Sequence, residues 1–151
     1  WMKVKDAIKF FEDFFDDFDK EKVSELLEML KIGQNEKIHN LSRGNIEKLS
    51  IAMLFSRNTK LYLFDEPLAF VDPISRELIC EMILRNISDE KSIIVSTNII
   101  SEIEHLFDEV IYLKDRKIIY WGSAEKIRET KNLSVNQFFK EGVKNGSIKV
   151  D

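Results

Sequence analysis

Two short runs without charged residues, at positions 61–64 and 92–97, constrain the fold more than any other feature of the sequence. Each run is too short for a typical helix and is rich in aromatic or β-branched residues, a composition typical of strands buried on both faces. An amphipathic stretch with helical spacing follows each run. This alternation predicts an α/β sheet of parallel strands joined by right-handed crossovers.

Helical periodicity dominates the chain before the first run. Apolar residues recur at three- or four-residue intervals from Val4 to Phe18 and predict an amphipathic helix. A second helix is predicted to begin after Asp19 as its N-cap and to end before Gly33, and a third to run from about Asn45 to Phe55. These three helices predict a helical lobe ahead of the sheet.

The remaining elements are predicted to be shorter. Apolar stretches on either side of a polar turn predict a hairpin at the edge of the sheet. The predicted elements are a helix over 74–87, a helix through Ile100, Ile103 and Leu106, hairpin strands 110–113 and 117–120 ended by Gly122, helices near 124–130 and 134–140, and a fraying tail after Gly142.

Bulk composition excludes several classes of protein. A net charge of -4, with acidic residues concentrated near the N-terminus, gives no support to a nucleic-acid partner. The single cysteine, Cys80, excludes an internal disulfide and is predicted to be a buried small apolar residue. No stretch has the length of a membrane span. The first residues, Trp1-Met2-Lys3, resemble neither a signal peptide nor a natural start, so we expect a piece of a longer protein.

Two adjacent carboxylates, Asp65 and Glu66, follow the first predicted strand directly. The carboxyl end of a strand is the usual place for a site in an open α/β sheet. One carboxylate there can hold Mg²⁺ beside a phosphate, and the other can orient or deprotonate an attacking water. An isolated Asp-Glu-Pro would be an ordinary surface turn, but the preceding apolar run favours a functional pair.

A second candidate site is the turn Leu41-Ser42-Arg43-Gly44-Asn45. Gly44 permits close approach of backbone N–H groups to a phosphate, Ser42 adds a hydroxyl, and the following helix directs its positive end to the same place. These features predict an anion site. Further along, Asp72 precedes Pro73, which is the pattern of a helix N-cap followed by a first-turn proline.

The order and spacing of these segments resemble the C-terminal half of an ATP-binding cassette (ABC) ATPase. Residues 41–45 correspond to the signature loop, the strand ending at Asp65 and Glu66 to Walker B, and Asp72 to the D-loop. The resemblance implies a P-loop NTPase-like fold with ATP and Mg²⁺ as ligands, Asp65 on the metal and Glu66 as the catalytic base. It also implies that the signature residues contact the γ-phosphate of ATP held by a second nucleotide-binding subunit, and that Asp72 crosses that dimer interface.

The sequence departs from the family pattern at three places. Arg43 and Asn45 replace the third and fifth residues of the usual Leu-Ser-Gly-Gly-Gln, and Asn98 stands where the family usually has the switch histidine. Asparagine can donate a hydrogen bond but cannot carry a proton, and loss of a charged transition-state contact costs about 3 kcal/mol. The phosphate-loop pattern G-x-x-x-x-G-K-S/T does not occur in these 151 residues.

The resemblance implies three segments: a helical signature subdomain at 1–58, the C-terminal part of the catalytic α/β core at 59–122, and C-terminal helices with a tail at 123–151. It implies a fragment of the nucleotide-binding subunit of an ABC transporter, of the peptide or drug efflux type. Such a subunit pairs with a second one around ATP and is held at the cytoplasmic face of the membrane by a permease subunit. Without upstream strands, the chain alone should expose an apolar sheet face and edge.

Two other functions fit the same residues. A catalytically degenerate or regulatory half-cassette would complete a partner's site with its signature loop, and Asn98 is compatible with that role. A soluble ABC ATPase that acts on chromosomes or DNA breaks would share the signature and Walker B segments. Such proteins carry long heptad coiled coils before the signature, whereas residues 1–40 predict two short helices.

Overall fold

Three helices precede the first strand in the structure, a computed structural model that describes residues 1–145. Together with the first sheet and its crossover helix they form one compact unit, Trp1–Asn98. Its elements are α1 Val4–Phe14, α2 Lys20–Met29, α3 Arg43–Phe55, β1 Leu61–Asp65, α4 Pro73–Asn86 and β2 Ser92–Ser96, with a 3₁₀ turn at Ile38–Asn40.

A second compact unit begins at Ile99. Its elements are α5 Ile100–Ile103, a 3₁₀ turn at Glu104–Leu106, β3 Glu109–Lys114, β4 Lys117–Ser123, α6 Ala124–Lys131 and α7 Val135–Asn145. Its buried centre is Ile100, Val110, Tyr112, Ala124, Ile127 and Val135. The predicted division at 58/59 and 122/123 separates segments by their expected roles in a cassette, whereas these two units are separated by their compactness. The predicted division stays a prediction.

The first sheet confirms the predicted α/β class. Strands β1 and β2 are parallel, with Leu61 opposite Ser92 and Asp65 opposite Ser96, and the helix α4 lies between them in the chain. This register brings the carboxyl ends of both strands to one edge of the sheet. A polar residue that directly follows β1 therefore lies near the end of β2, and a polar residue that follows β2 lies near the end of β1.

The expectation that these strands are buried on both faces is wrong for this chain. Tyr62 and Phe64 are buried, and their rings lie 5.1 Å from that of Phe55 on α3. In contrast, Leu63 is 65% exposed and Ile94 is 57% exposed. Successive side chains of a strand point to opposite faces, so helices on one side bury only alternate residues. The expected exposure of an apolar sheet face is thereby confirmed.

The predicted hairpin is present, but its predicted place at the edge of the first sheet is wrong. Strands β3 and β4 pair with each other in an antiparallel two-stranded sheet that is separate from β1 and β2. Gly122 does not end the hairpin, because β4 continues to Ser123. The Ser123 hydroxyl then accepts the N–H of Lys126 at 3.3 Å and caps α6, so the strand leads directly into the helix.

Several helix ends differ from prediction for local reasons. Helix α1 stops at Phe14, before the predicted Phe18, which instead forms a β-bridge with Arg57. Asp19 caps α2 as predicted, but Lys31 rather than Gly33 adopts the left-handed backbone after that helix, with φ 55°. The helix predicted through Leu106 is a single α-helical turn followed by a 3₁₀ turn.

Two further predictions concern burial and the C-terminus. Cys80 is buried, as predicted. Helix α7 includes residues 143–145, whereas the rest of the predicted fraying tail lies outside the described residues. None of the helices within residues 1–145 combines the length and hydropathy needed to cross a bilayer.

Candidate nucleotide site

The ends of β1 and β2 bring carboxylates and their donors together in what we call the acidic corner, which consists of Asp65, Glu66 and residues 96–98. Asp65 is the last residue of β1 and lies opposite Ser96, the last residue of β2. The Ser96 hydroxyl donates a hydrogen bond to Oδ1 of Asp65. The parallel register of the sheet therefore determines the contact between a carboxylate and a hydroxyl 31 residues apart.

Glu66 is held by the segment that follows β2. Its N–H donates to the Ser96 carbonyl at 2.8 Å. Its carboxylate accepts the Asn98 N–H at 3.0 Å and the Thr97 hydroxyl at 3.2 Å. The backbone of Glu66 is left-handed, with φ 48°, a conformation that costs a non-glycine residue on the order of 1–3 kcal/mol. The surrounding hydrogen bonds hold this strained residue with its carboxylate directed at the end of β2.

Asn98 contacts Glu66 through its backbone rather than its side chain. A histidine at this position would donate the same backbone hydrogen bond, so the departure from the family pattern does not alter this contact. Thr97 is the donor that the sequence analysis missed. A signal for it was present, because the carboxyl ends of neighbouring parallel strands meet at one edge and a hydroxyl after β2 would lie near Glu66.

The oxygen atoms of the acidic corner suit a cation that arrives with a phosphate. Mg²⁺ usually binds proteins through one or two carboxylates and takes its other ligands from phosphates and water. The Asp65 carboxylate, which accepts a hydrogen bond from the Ser96 hydroxyl, can supply one ligand of that kind. Within residues 1–145, no cluster of three or more histidine, cysteine, aspartate or glutamate side chains could form a metal cage by itself.

The second candidate site, the serine turn at residues 41–45, forms the start of α3. Ser42 is the N-cap, and its hydroxyl accepts the N–H of Asn45 at 3.2 Å. The helix therefore begins at Arg43, two residues before the predicted start. Helix geometry leaves the N–H groups of Arg43 and Gly44 without acceptors inside the helix, while buried Leu41 anchors the turn. These N–H groups and the helix dipole favour an anion.

Gly44 has a structural role besides the predicted approach to a phosphate. A Cβ at this position would lie 3.3 Å from the carbonyl oxygen of Phe70 and 3.8 Å from Cα of Val71. The start of α3 thus lies directly against residues 69–72, which we call the aspartate loop. A larger residue at position 44 would force this loop away.

The aspartate loop ends in the cap of α4. Asp72 accepts the N–H of Ser75 at 3.0 Å, and Pro73 occupies the first turn, which confirms the predicted capping arrangement. Hydrogen bonds from the side chain and backbone of Ser75 lower the pKa of Asp72. Lys48 of α3 reaches the same place, because its Nζ donates to the Ser75 hydroxyl at 3.2 Å although the residue is buried.

The predicted site residues therefore fall into two groups in the structure. Asp65, Glu66 and Asn98 meet at the strand ends, and the serine turn meets the loop that carries Asp72. Sequence analysis missed Lys48 and Phe70, both of which contact this second group. The helical spacing offered a signal for Lys48, which lies one turn after Gly44 and next to the buried Leu49.

Comparison with known proteins points to one family. Residues 2–69 match the model of the ABC transporter family. The chain is 31% identical over 131 residues to the ABC transporter ATP-binding protein MJ1023 of Methanocaldococcus jannaschii, an alignment that covers 83% of this chain and 50% of that protein. The chain therefore spans about half the length of this curated relative.

Solved structures show the same fold. The ATP-binding subunit of an ABC transporter superposes with a TM-score of 0.80 at 19% identity, over 95% of this chain and 62% of that one. The dimeric bacterial ABC transporter cassette MJ0796 superposes with a TM-score of 0.68 at 22% identity, over 81% of this chain and 56% of that one. At these identities the likeness establishes the fold alone.

Proposed function

Since this chain belongs to the ATP-binding cassette family of ABC transporters, we propose that it forms part of a nucleotide-binding subunit that couples ATP binding and hydrolysis to transport. The observation that carries this proposal is the geometry of Glu66. Its carboxylate lies at the carboxyl end of a parallel strand and is oriented by two donors from the next strand's end. A fixed carboxylate at that place is suited to act on a water that attacks a phosphate.

Within the proposed site, Asp65 and Glu66 have different tasks. Glu66 orients and deprotonates the attacking water, while the Thr97 hydroxyl and the Asn98 N–H keep its carboxylate in place. Asp65, supported by the Ser96 hydroxyl, would hold Mg²⁺. When bound with ATP, the cation neutralises charge on the β- and γ-phosphates. Asn98 is proposed to contribute to this chemistry as a hydrogen-bond donor without charge.

The serine turn is proposed to recognise ATP held by a second nucleotide-binding subunit. The backbone N–H groups of Arg43 and Gly44 and the positive end of α3 favour the γ-phosphate as the anion, with Ser42 and Asn45 beside it. The dimeric assembly of MJ0796 supports a paired arrangement. Asp72 is proposed to face the same interface, because its loop lies against the serine turn.

The proposed cellular setting follows from the family. We propose a permease subunit as the membrane partner, a place at the cytoplasmic face of the membrane, and efflux of peptides or drugs as the transport type. We further propose the three-part division at 58/59 and 122/123 as the functional organisation of the segment. Identification of a co-purifying permease and its transported molecule would test these assignments directly.

A catalytically degenerate, regulatory half-cassette is the second candidate, and Asn98 favours it because an amide cannot take up a proton and carry charge at neutral pH. In that case the serine turn would still complete a partner's site. The two candidates differ in the effect of Glu66: hydrolysis by this subunit requires its carboxylate, whereas a regulatory half does not. Association with a membrane fraction separates both from a soluble ABC ATPase.

The test is Glu66→Gln in the complete gene product that contains this chain. The amide retains the shape of the side chain but cannot accept the proton, so ATP turnover should fall on the order of 10²- to 10⁴-fold while an ATP-dependent dimer accumulates. Phosphate release and light scattering measure the two effects. Glu90→Gln, which changes an exposed glutamate outside the site, is the matched control. Unchanged turnover in Glu66→Gln would reject Glu66 as the base.

A further inference from the structure

Arg43 and Phe70 connect two segments that the proposed function uses separately. The guanidinium carbon of Arg43 lies 3.0 Å from the centroid of the Phe70 ring. Arg43 belongs to the serine turn, and Phe70 belongs to the aspartate loop and is 50% exposed. The negative face of an aromatic ring attracts a cation, so the arginine that replaces the usual glycine of the signature has a specific partner within its own chain.

Two other contacts join the same segments. The absence of a side chain at Gly44 allows the backbone of Phe70 and Val71 to lie against the start of α3. One turn further along α3, the Lys48 ammonium donates to the Ser75 hydroxyl, and Lys48 is only 8% exposed. Burial of an ammonium group is costly unless it makes hydrogen bonds. This lysine is therefore a specific link between α3 and the first turn of α4.

The three contacts connect both ends of the aspartate loop to α3. Arg43 holds Phe70 near the start of the loop, and Lys48 holds Ser75, whose own N–H is bound by Asp72 at the end of the loop. A loop fixed at both ends to one helix has little freedom to move independently of that helix. Displacement of the serine turn would therefore displace Asp72 as well.

We propose that Arg43 and Lys48 are positioning residues that join the serine turn and the aspartate loop into one surface, so that Ser42, Gly44 and Asp72 approach the second subunit's nucleotide together. This inference rests on the proposed function. It adds a connection between the serine turn and the aspartate loop that neither segment shows by itself. Arg43 acts through Phe70, and Lys48 acts through Ser75. Neither side chain needs to contact the nucleotide, since the proposed phosphate contact of Arg43 is made by its backbone N–H.

A double-mutant cycle in the complete gene product tests the role of Arg43. The variants are Arg43→Met, Phe70→Leu and the double variant, with Arg43→Lys as the conservative replacement that keeps a cation over the ring. Each single variant should lower kcat by about two- to fivefold, the range expected for an exposed cation–π contact. The double variant should be no slower than the slower single variant, and Arg43→Lys should retain more activity than Arg43→Met.

A second cycle, with Lys48→Met, Ser75→Ala and the double variant, tests the other end of the loop. Methionine has a similar length and suits a buried position, so the variants should remain folded. The same non-additive loss in kcat is expected. Arg85→Met, which removes an exposed guanidinium from α4, is the control for a general effect of lost charge and should leave both kcat and KM unchanged. Urea unfolding midpoints are measured for all variants.

The outcomes separate this proposal from its alternatives. If Arg43→Met costs the same factor in the wild-type and Phe70→Leu backgrounds, Arg43 acts on the nucleotide itself and the proposal is wrong. If the residues are coupled in urea midpoints while kcat and KM do not change, the contacts are only structural, and the proposal is again wrong. A failure of the proposed function is distinct, because Glu66→Gln would then leave turnover unchanged whatever the two cycles show.

Discussion

The acidic corner and the serine turn use polar groups in opposite ways. In the corner, carboxylates accept hydrogen bonds from a segment 31 or 32 residues away in the sequence. In the serine turn, the cap is local: the Ser42 hydroxyl binds the N–H of Asn45, three residues later. The corner thus orients two adjacent carboxylates by long-range pairing, while the turn presents N–H donors that arise wherever a helix begins.

This difference indicates how each region should respond to change. A substitution in the corner should alter the chemical step, because it changes the orientation or basicity of a carboxylate. A substitution in the serine turn should alter the recognition of an anion and leave nucleotide binding to this chain's own subunit intact. The two regions can therefore be distinguished by separate measurements of ATP binding, dimerisation and turnover in the complete gene product.

After Glu66→Gln, the largest effect is expected for Gly44→Asp in the serine turn. The new side chain would press on the Phe70 carbonyl and place a carboxylate where an anion is recognised. Removal of such electrostatic stabilisation costs on the order of 10²- to 10³-fold in turnover. ATP-driven dimerisation should be lost to a similar degree, whereas equilibrium ATP binding should persist.

The matched control for Gly44→Asp is Ser50→Asp, which adds the same charge to an exposed position in the middle of α3. It should leave dimerisation and turnover close to wild type. Full turnover in Gly44→Asp would show that the serine turn is not a signature loop, and the comparison between the two regions would lose its basis.

A smaller effect is expected for Thr97→Val in the acidic corner. The variant removes the hydroxyl that donates to Glu66 at 3.2 Å and conserves the shape of the side chain. A hydrogen bond to a charged group contributes about 1.5–3 kcal/mol, so kcat should fall at least about tenfold. The KM for ATP should not change. Thr130→Val, which removes a hydroxyl from an exposed position of α6, serves as the control, and an equal loss there would discount Thr97 as an orienting residue.

Asn98→His should raise turnover by a few-fold without a large change in ATP affinity. The backbone hydrogen bond to Glu66 is independent of the side chain, so the corner should keep its geometry. An imidazole adds a group that titrates near pH 6.5, so the ratio of turnover between the variant and the wild type should change with pH between pH 5 and 8. Turnover at or below the wild-type level throughout this range would contradict a switch role for position 98.

The smallest effect concerns Asp72 and stability. Because hydrogen bonds from Ser75 lower the pKa of this carboxyl, its contribution to stability is present above the unfolded-state pKa of about 3.9 and is lost as the pH falls through the folded-state pKa. Asp72→Asn keeps a capping oxygen that does not titrate. The difference in melting temperature between wild type and variant should be constant from pH 5 to 8. Below about pH 4, the melting temperature of the wild type should fall relative to that of the variant.

Asp89→Asn, at an exposed turn, provides the comparison for that titration. If both aspartate variants show the same pH dependence relative to wild type, the effect belongs to the general charge of the chain. In that case the Ser75 hydrogen bonds do not set the behaviour of Asp72.

Much of the fold could be predicted because its signals are local. Short continuous apolar runs placed both strands of the first sheet, period-3.6 patterns placed the helices around them, and Asp19 and Asp72 identified two helix starts by their capping chemistry. The pattern could not show which strand faces are covered. Leu63 and Tyr62 are both apolar, yet only Tyr62 is buried, because burial depends on whether another element packs against that face.

The sequence by itself determined which groups are available: adjacent carboxylates after a strand, a serine-capped turn, an aspartate before a proline, and an asparagine in place of the usual histidine. Only the tertiary structure decided their partners. The Asn98 N–H reaches Glu66 because β1 and β2 pair in a particular register, and Arg43 reaches Phe70 because α3 begins against the aspartate loop. Contacts of this kind join residues about 30 apart, so they depend on packing geometry that no local pattern encodes.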